Sequence, residues 1–104
     1  MDPIQVIAEP RRREILALVW DSEMAAGDIA AQFNVTFGAV SQHLSILRNS
    51  GFVTVRRDGN RRLYRVDKDR LGPLRGILEA MWARTLDRLA LAIEDDLAQP
   101  EDRD

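Results

Sequence analysis

The sequence contains no cysteine, and this absence removes several kinds of site at once. Without thiols the chain cannot build a disulfide framework, a thiolate zinc or arsenic site, an iron–sulfur cluster or a cysteine nucleophile. It also lacks an apolar run near the roughly 20 residues that a membrane-spanning helix needs, and its acidic start, Met1-Asp2-Pro3, is unlike a signal peptide. These absences predict a cytoplasmic protein with no cofactor and no membrane partner.

Catalytic signatures are also missing. There is no glycine-rich phosphate loop, and no serine, histidine and aspartate can be named as a triad around the single histidine, His43. The carboxylates fall on polar faces and near the C-terminus, where we expect them to be solvated. The sequence therefore predicts that the protein is not an enzyme.

Length and composition allow one small domain. With 104 residues, of which 45% are apolar, the chain can form one core of marginal stability that an additional interface would support. We predict a single domain over residues 1–98, followed by an acidic, disordered tail at 99–104.

Positive charge is concentrated in the middle of the chain, although the net charge is −2. Residues 31–65 carry six arginines against Asp58 alone, whereas residues 1–30 and 87–104 are net acidic. A basic segment between acidic ends indicates a directional anion-binding surface, such as one for nucleic acid. A solvated basic loop would give the same pattern of charge.

Helical spacing of apolar residues predicts short helices over residues 4–8, 10–20 and 25–33, and a further helix over about 37–49. Thr36 is a suitable N-cap for the last of these, and Gly51 is suited to end it.

The two sides of the predicted helix at 37–49 differ in chemistry. Val40, Leu44 and Leu47 fall in one narrow sector, which predicts the buried side. The opposite side carries small hydroxyl and amide residues and no carboxylate. A helix that presses against nucleic acid needs such a face.

Residues 52–66 indicate a β-hairpin with arginines at its tip. The preferred register has a three-residue loop, Arg57-Asp58-Gly59, which places Phe52, Tyr64 and Val66 on one face. A two-residue turn would invert this pairing.

The last predicted helix covers about residues 73–97 and carries an apolar stripe close to a heptad repeat. About 25 residues at 1.5 Å each span roughly 37 Å, which is longer than a domain of this size requires. So long a stripe favours packing against a partner helix.

The order of elements predicts the fold class α+β, mainly helical: a winged helix-turn-helix with a two-stranded hairpin wing and a long C-terminal dimerisation helix. In such a fold one helix enters the major groove of double-stranded DNA, and the wing contacts the neighbouring phosphates. The candidate DNA-binding residues are Thr36, Phe37, Gly38, Ser41, Gln42, His43, Ser45, Arg48, Arg56, Arg57, Asn60, Arg61 and Arg62.

Five ordered segments carry a family resemblance over about residues 4–95: 9–16 (EPRRREIL), 27–30 (GDIA), 40–44 (VSQHL), 47–53 (LRNSGFV) and 56–64 (RRDGNRRLY). In this order they resemble the ArsR/SmtB type of bacterial winged-helix repressors. The resemblance implies a homodimer formed by the first and last helices, a pseudo-palindromic operator and repression of transcription. The candidate dimer-interface residues are Ile4, Ile7, Leu74, Leu78, Met81, Trp82, Leu86, Leu89 and Ile93.

Members of this family are known for sensing metals, and this chain departs from that pattern. The thiolate site of the family needs cysteines, and the site on its last helix needs aspartate and histidine pairs. Because the chain has no cysteine and His43 is its only histidine, we predict that it senses metal through neither site. The sequence does not identify a small-molecule inducer.

Several residues admit two interpretations. His43 donates to a phosphate or is hydrogen-bonded within the domain, and Phe37 packs beside Leu44 or reaches a thymine methyl group. The arginines at 11–13 open a helix, where the macrodipole disfavours positive charge. They indicate either an external anion or acidic partner, or an ordinary charged surface. Met81 and Trp82 line a pocket at the dimer seam or belong to the core.

A second function remains open, that of a dimeric interaction module that docks a protein partner and has lost DNA binding or uses it secondarily. A protein-docking helix exposes residues such as Leu, Tyr or Trp, whereas the outer side of residues 38–49 carries Gly, Ser, Gln and Asn. The composition of this face therefore favours DNA.

Overall fold

A computed structural model describes the backbone of residues 1–98, and the side chains of 87–92 and 94–98 are outside that description. The tail predicted at 99–104 lies outside the described residues. The chain divides into two compact units between Gly72 and Pro73, and each is described by itself. The single domain inferred from length therefore stays a prediction.

The first unit has the architecture of a winged helix. Its helices are α1 (Pro3–Ala8), α2 (Pro10–Leu18), α3 (Ala26–Ala31), α4 (Phe37–Asn49) and α5 (Lys68–Leu71). Its strands are β1 (Met24–Ala25), β2 (Val53–Asp58) and β3 (Arg61–Val66). The helix-turn-helix is formed by α3 and α4, and the wing by β2 and β3, as the sequence predicts. The sequence prediction missed two elements, β1 and the four-residue α5.

Two arginines near the start of α2 close the C-terminal end of α1. The guanidinium of Arg12 donates to the carbonyls of Gln5 and Val6, and that of Arg13 donates to those of Ile7 and Ala8. These are the last four carbonyls of α1, which a helix leaves without internal partners. These bonds to backbone carbonyls account for the positions of Arg12 and Arg13 near the start of α2.

The third arginine of this run has a different partner. Arg11 forms an ion pair with Glu14 at 3.1 Å, and its guanidinium lies over the ring of Phe33 at 4.6 Å from the centroid. Arg11 is therefore engaged by Glu14 and Phe33 of its own chain, and these contacts explain its position without an external acidic partner.

Local signals determine both ends of α4. The hydroxyl oxygen of Thr36 accepts a hydrogen bond from the backbone N–H of Ala39 at 3.1 Å, which is an N-cap. At the other end Gly51 has a φ of 81°, and the next residue, Phe52, donates its N–H to the carbonyl of Leu47 at 3.0 Å. A side chain at Gly51 would also meet the guanidinium of Arg70 at 2.7 Å.

The buried side of α4 is the predicted one, because Val40, Leu44 and Leu47 are almost inaccessible to solvent. Burying each such side chain contributes about 1.5–3 kcal/mol to folding. The same core includes Ile15 and Leu16 of α2, which orients α4 and leaves its polar side outward.

The preferred hairpin register is wrong, and the two-residue alternative is found. The strands join through Gly59 and Asn60, with Val53 opposite Val66 and Val55 opposite Tyr64. Gly59 has a φ of 63° and no described non-glycine residue has a positive φ, which matches a turn with glycine at its first central position.

The new register changes which side chains share a face. Val53, Val55, Tyr64 and Val66 lie on one side of the wing, whereas Phe52 precedes β2 and is buried separately. The short strand β1 adds to β3, with Met24 opposite Tyr64, so β3 is the central strand of a three-stranded antiparallel sheet.

The second unit contains α6 (Pro73–Ala98), close to the predicted 73–97. Leu78 is fully buried, whereas Ile77, Leu86 and Ile93 are exposed. Among the described residues, no helix is long and apolar enough to cross a membrane.

Candidate nucleic-acid interface

After Phe37, the first residue of α4, the exposed side of the helix is polar. Gly38, Ser41, Gln42, Ser45 and Arg48 are all exposed, and α4 contains no aspartate or glutamate. Because no carboxylate would repel a phosphate, the helix can approach an anionic polymer closely.

Phe37 lies in solvent and not beside Leu44. Its side chain is 57% exposed at the first position of α4, so the packing interpretation is corrected. Phe37 lies about 20° from Leu44 around the helix axis but two turns earlier, at the first position of α4, where most of its side chain stays in solvent.

Two of the wing arginines are held by acidic residues far away in the sequence. Arg56 donates two hydrogen bonds of 2.8 Å to the carboxylate of Glu23, and Arg61 forms an ion pair with Asp28 at 3.2 Å. The bond from Arg56 lowers the pKa of Glu23 and raises that of Arg56. These two arginines tie the wing to the segment that contains β1 and the start of α3.

Two further wing arginines, both near the tip, face each other. Arg57 and Arg62 are directly opposite across β2 and β3, and both are exposed. Within the part of the chain that the structure describes, neither has an ion-pair or hydrogen-bond partner. Like charges directly opposite in a sheet are destabilising, so the pair favours an anion near it.

A cleft joins the wing, the start of α4 and the start of α3. It has a volume of about 470 Å³, and Phe37, Asn60, Arg61 and Arg62 line it together with residues 25–28. The structure thus brings four candidate DNA-binding residues from two separate segments around one concavity.

His43 is hydrogen-bonded within the domain. Its Nδ1 lies 3.3 Å from a guanidinium nitrogen of Arg12 on α2. Burial is the main reason that the pKa of His43 is lowered, and the positive charge of Arg12 adds to this effect. The neutral imidazole is therefore favoured in the folded protein.

The candidate dimer residues divide by exposure. Ile4 and Ile93 are exposed and Leu86 is 66% exposed, whereas Ile7 and Leu78 are buried within the chain itself. Leu74, Met81 and Trp82 are half-buried, and the side chain of Leu89 lies outside the described residues. The exposed members are those that a second chain can cover.

The described residues contain no group of three or more histidines, cysteines, aspartates or glutamates placed to hold a metal ion. The donor set is poor because the chain has no cysteine and its one histidine uses Nδ1 for Arg12. The sequence therefore supplies neither a set of thiolates nor a pair of histidines.

The sequence did not indicate the partners of Arg12, Arg56 and Arg61. Glu23 and Asp28 are each 33 residues from the arginine that they bind, and His43 is 31 residues from Arg12. No periodicity or local motif connects residues at such separations.

Comparison with known proteins agrees with this architecture. Residues 9–55 match the model of a family described as "Bacterial regulatory protein, arsR family". The HTH-type transcriptional regulator Rv2034 of Mycobacterium tuberculosis is 35% identical over 92 residues, which cover 88% of this chain and 86% of that protein. The transcriptional repressor SdpR of Bacillus subtilis is 40% identical over 55 residues, which cover 53% of this chain and 61% of that protein.

A solved structure shows the same fold. It is the homodimeric winged helix-turn-helix DNA-binding domain of Mb0332 from Mycobacterium bovis, with a TM-score of 0.67 and 27% identity, covering 78% of this chain and 75% of that one. The likeness to Rv2034 extends over most of both sequences. The chain belongs to the ArsR family of bacterial regulatory proteins, whose members are transcriptional regulators and not enzymes.

Proposed function

We propose that the chain is a homodimeric repressor that binds a pseudo-palindromic operator, with α4 in the major groove and the wing on the flanking backbone. The observation that carries this proposal is the exposed side of α4, which from Gly38 onward is polar and free of carboxylates. Few helices expose such a face to water alone, because solvated helices usually carry glutamate and lysine there.

Gln42 is the residue that we expect to read a base. Its amide can donate to and accept from adenine at the same time, and such a pair is worth about 1–3 kcal/mol of discrimination. Ser41 and Ser45 lie on the same side of α4 and are small enough to let the helix enter the groove closely. We expect Phe37, which is exposed at the start of the helix, to contact a thymine methyl group.

The wing and the ends of α4 supply contacts to phosphates. Arg57 and Arg62 have no partner among the described residues, and a phosphate between them would relieve their repulsion. Asn60 lies at the tip of the wing, and Arg48 is exposed in the last turn of α4. Arg56 and Arg61 help to hold the wing through Glu23 and Asp28.

Dimerisation through α1 and α6 would present two copies of α4 to DNA. The exposed apolar residues Ile4, Leu86 and Ile93 are suited to contact a second chain. Two recognition helices about 34–36 Å apart reach successive major grooves on one side of the duplex, which explains an operator with two-fold symmetry. The homodimeric domain of Mb0332, which shares this fold, supports the same assembly.

We also propose that neither a thiolate site nor a histidine–aspartate site controls DNA binding in this chain. The absence of cysteine and the engagement of His43 with Arg12 support this. Adding zinc or arsenite to the operator complex should leave its dissociation constant unchanged, and release by either would contradict the proposal.

Selection of binding sites from random duplex DNA, at two salt concentrations, tests the proposal as a whole. We expect an enriched site with two-fold symmetry, bound less tightly at high salt because phosphate contacts release counterions. A promoter that carries this site should be transcribed less in a purified transcription system when the protein is added.

Two results would overturn the proposal in different ways. Enrichment of no sequence, even in dilute salt, would favour the protein-interaction module. An increase in transcription would retain DNA binding and reject repression.

A further inference from the structure

We infer that Arg12 is a positioning residue for DNA recognition: from α2 it holds the imidazole of His43 on α4 in one orientation and one tautomer, with Nε2–H as its donor. This inference rests on the proposed role of α4 as the recognition helix. Arg12 is buried on α2 and does not lie on α4, but by holding His43 it would affect how α4 binds DNA.

The contact itself determines the tautomer. A guanidinium has only donors, so the Nδ1 atom of His43, 3.3 Å from Arg12 Nη1, must accept the hydrogen bond. An imidazole that accepts at Nδ1 carries its proton at Nε2 when it is neutral. His43 is then able to donate from Nε2 to a phosphate or to a base edge.

Arg12 is itself held rigidly, which makes it able to orient another side chain. It is 8% exposed, and its Nε and Nη2 donate to the carbonyls of Val6 and Gln5 at 2.6 and 3.1 Å. With two of its nitrogens bound to the end of α1, the guanidinium cannot rotate freely, and Nη1 is directed to one place. The ring of His43 therefore takes its position from α1 and α2 as well as from α4.

The surrounding charges agree with a neutral imidazole. Burial and the positive charges of Arg12 and Arg11 lower the pKa of His43 and outweigh the opposite effect of Glu9. Protonation of Nδ1 would replace the hydrogen bond by two adjacent cations. At neutral pH the donor that His43 presents is therefore an uncharged N–H.

Arg12 also links the C-terminal end of α1 to α4, the proposed recognition helix. If α1 is displaced, the backbone carbonyls release Arg12, and Arg12 releases His43. Since α1 is one of the two helices proposed to form the dimer, assembly and the donor on α4 would be coupled through one side chain.

His43 can be observed directly, because it is the only histidine of the chain. In tag-free protein labelled with ¹⁵N-histidine, long-range proton–nitrogen spectra report the tautomer without assignment. We expect the wild-type protein, above the pKa of His43, to show the Nε2–H tautomer alone. Arg12→Met should show a mixture of both tautomers and a higher pKa, because a nearby positive charge is removed.

Arg13→Met is the matched control, because Arg13 donates to the carbonyls of Ile7 and Ala8 and has no bond to His43. It removes the bonds to these two carbonyls but leaves those from Arg12 to Gln5 and Val6 in place, so the spectrum of His43 should stay unchanged. Arg12→Lys keeps the charge but cannot make the three directed bonds of the guanidinium. It takes the place of Arg12→Met in the tautomer measurement if Arg12→Met does not fold. An Nδ1–H tautomer in the wild type, or an equal change in both methionine variants, would overturn the inference.

DNA binding provides the second measurement. Arg12→Met and His43→Ala should each weaken operator binding by about tenfold, which corresponds to the removal of one hydrogen bond to a charged group. The double variant should bind no more weakly than either single variant, because both substitutions remove the same interaction. His43→Gln, which keeps an acceptor and a donor, should retain most of the affinity. Additive effects would show that Arg12 acts by another route.

The two measurements separate the inference from the function on which it rests. The tautomer is read without DNA, so its failure concerns Arg12 and His43 alone. If the wild-type protein bound no duplex at all, the proposed function would fail whatever the tautomer.

Discussion

The longest helices of the chain, α4 and α6, expose faces of opposite chemistry. On α4 the exposed side carries Ser41, Gln42 and Ser45, and on α6 it includes Leu86 and Ile93. The exposed residues of α4 include no carboxylate, whereas α6 exposes the Arg75–Glu79 ion pair as well as its apolar residues. The difference agrees with the two partners proposed: a polar face without carboxylates suits the edges of bases, whereas exposed leucine and isoleucine suit another apolar surface.

The largest expected effect comes from changing the apolar face. Leu86→Asp should convert a dimer to a monomer and weaken operator binding by at least about a hundredfold, because the two half-sites would no longer be bound together. Since Leu86 is exposed within one chain, the substitution leaves the fold of that chain intact. Sedimentation equilibrium and operator titration measure the two results.

Ala80→Asp is the control for this substitution, because it adds the same charge to α6 at about 120° around the helix axis. It should leave the dimer unchanged. Dissociation by both variants, or by neither, would place the dimer interface elsewhere.

Substitutions in the wing test the electrostatic contribution to DNA binding. Arg57→Thr together with Arg62→Thr should reduce the slope of log affinity against log salt by about 0.9 for each phosphate that the wing no longer neutralises. The same pair of changes should not lower the free energy of unfolding, because it removes two like charges directly opposite each other. Titrations at several salt concentrations and chemical denaturation give both quantities.

Arg56→Thr together with Arg61→Thr removes the same charge and is the matched control. Glu23 and Asp28 already neutralise these arginines, so the salt slope should change less. An equal change in slope for the two double variants would mean that the internal ion pairs open on DNA.

The polar face of α4 is tested by Gln42→Ala, for which a smaller effect is expected. The difference in binding free energy between operator and non-specific DNA should fall by about 1–3 kcal/mol, because the alanine cannot form the bidentate hydrogen bonds to one base. Gln32→Ala removes an exposed glutamine from the C-cap of α3 and should change nothing. An unchanged difference in Gln42→Ala would remove this residue as a base reader.

The smallest effect concerns pH. The pKa of His43 in the folded protein lies below its ordinary value of 6.5, so folding favours the neutral ring. This contribution to stability is complete above the ordinary pKa and is lost as the pH falls through the lowered pKa of the folded state. The melting temperature of the free protein should therefore fall between pH 7.5 and about 5.5, and His43→Gln should flatten this part of the curve. A wild-type curve that is already flat would contradict the assignment.

Much of the fold was predictable because its signals are local. Thr36 and Gly51 mark the ends of α4, and the spacing of Val40, Leu44 and Leu47 marks its buried side. The hairpin was predictable in place but not in register. A three-residue loop was preferred because it gathered Phe52, Tyr64 and Val66 on one face, but the pairing of Val53 with Val66 is satisfied by a two-residue turn.

For the candidate site, the sequence identified candidate residues but did not show which of them are already bound to other groups of the protein. It could not distinguish Arg56 and Arg61, which are ion-paired, from Arg57 and Arg62, which face each other. It also could not show that Phe37 is exposed, since an aromatic residue at a helix start is compatible with either environment.

By itself the sequence determined the order of the elements, the polar face of α4 and the absence of thiol chemistry, because these depend on residue type and on spacings of a few residues. The tertiary structure decided which charges are neutralised and how His43 is held. Glu23 contacts Arg56, and Arg12 contacts His43, only when segments some thirty residues apart have folded together. No local sequence pattern predicts contacts at such separations.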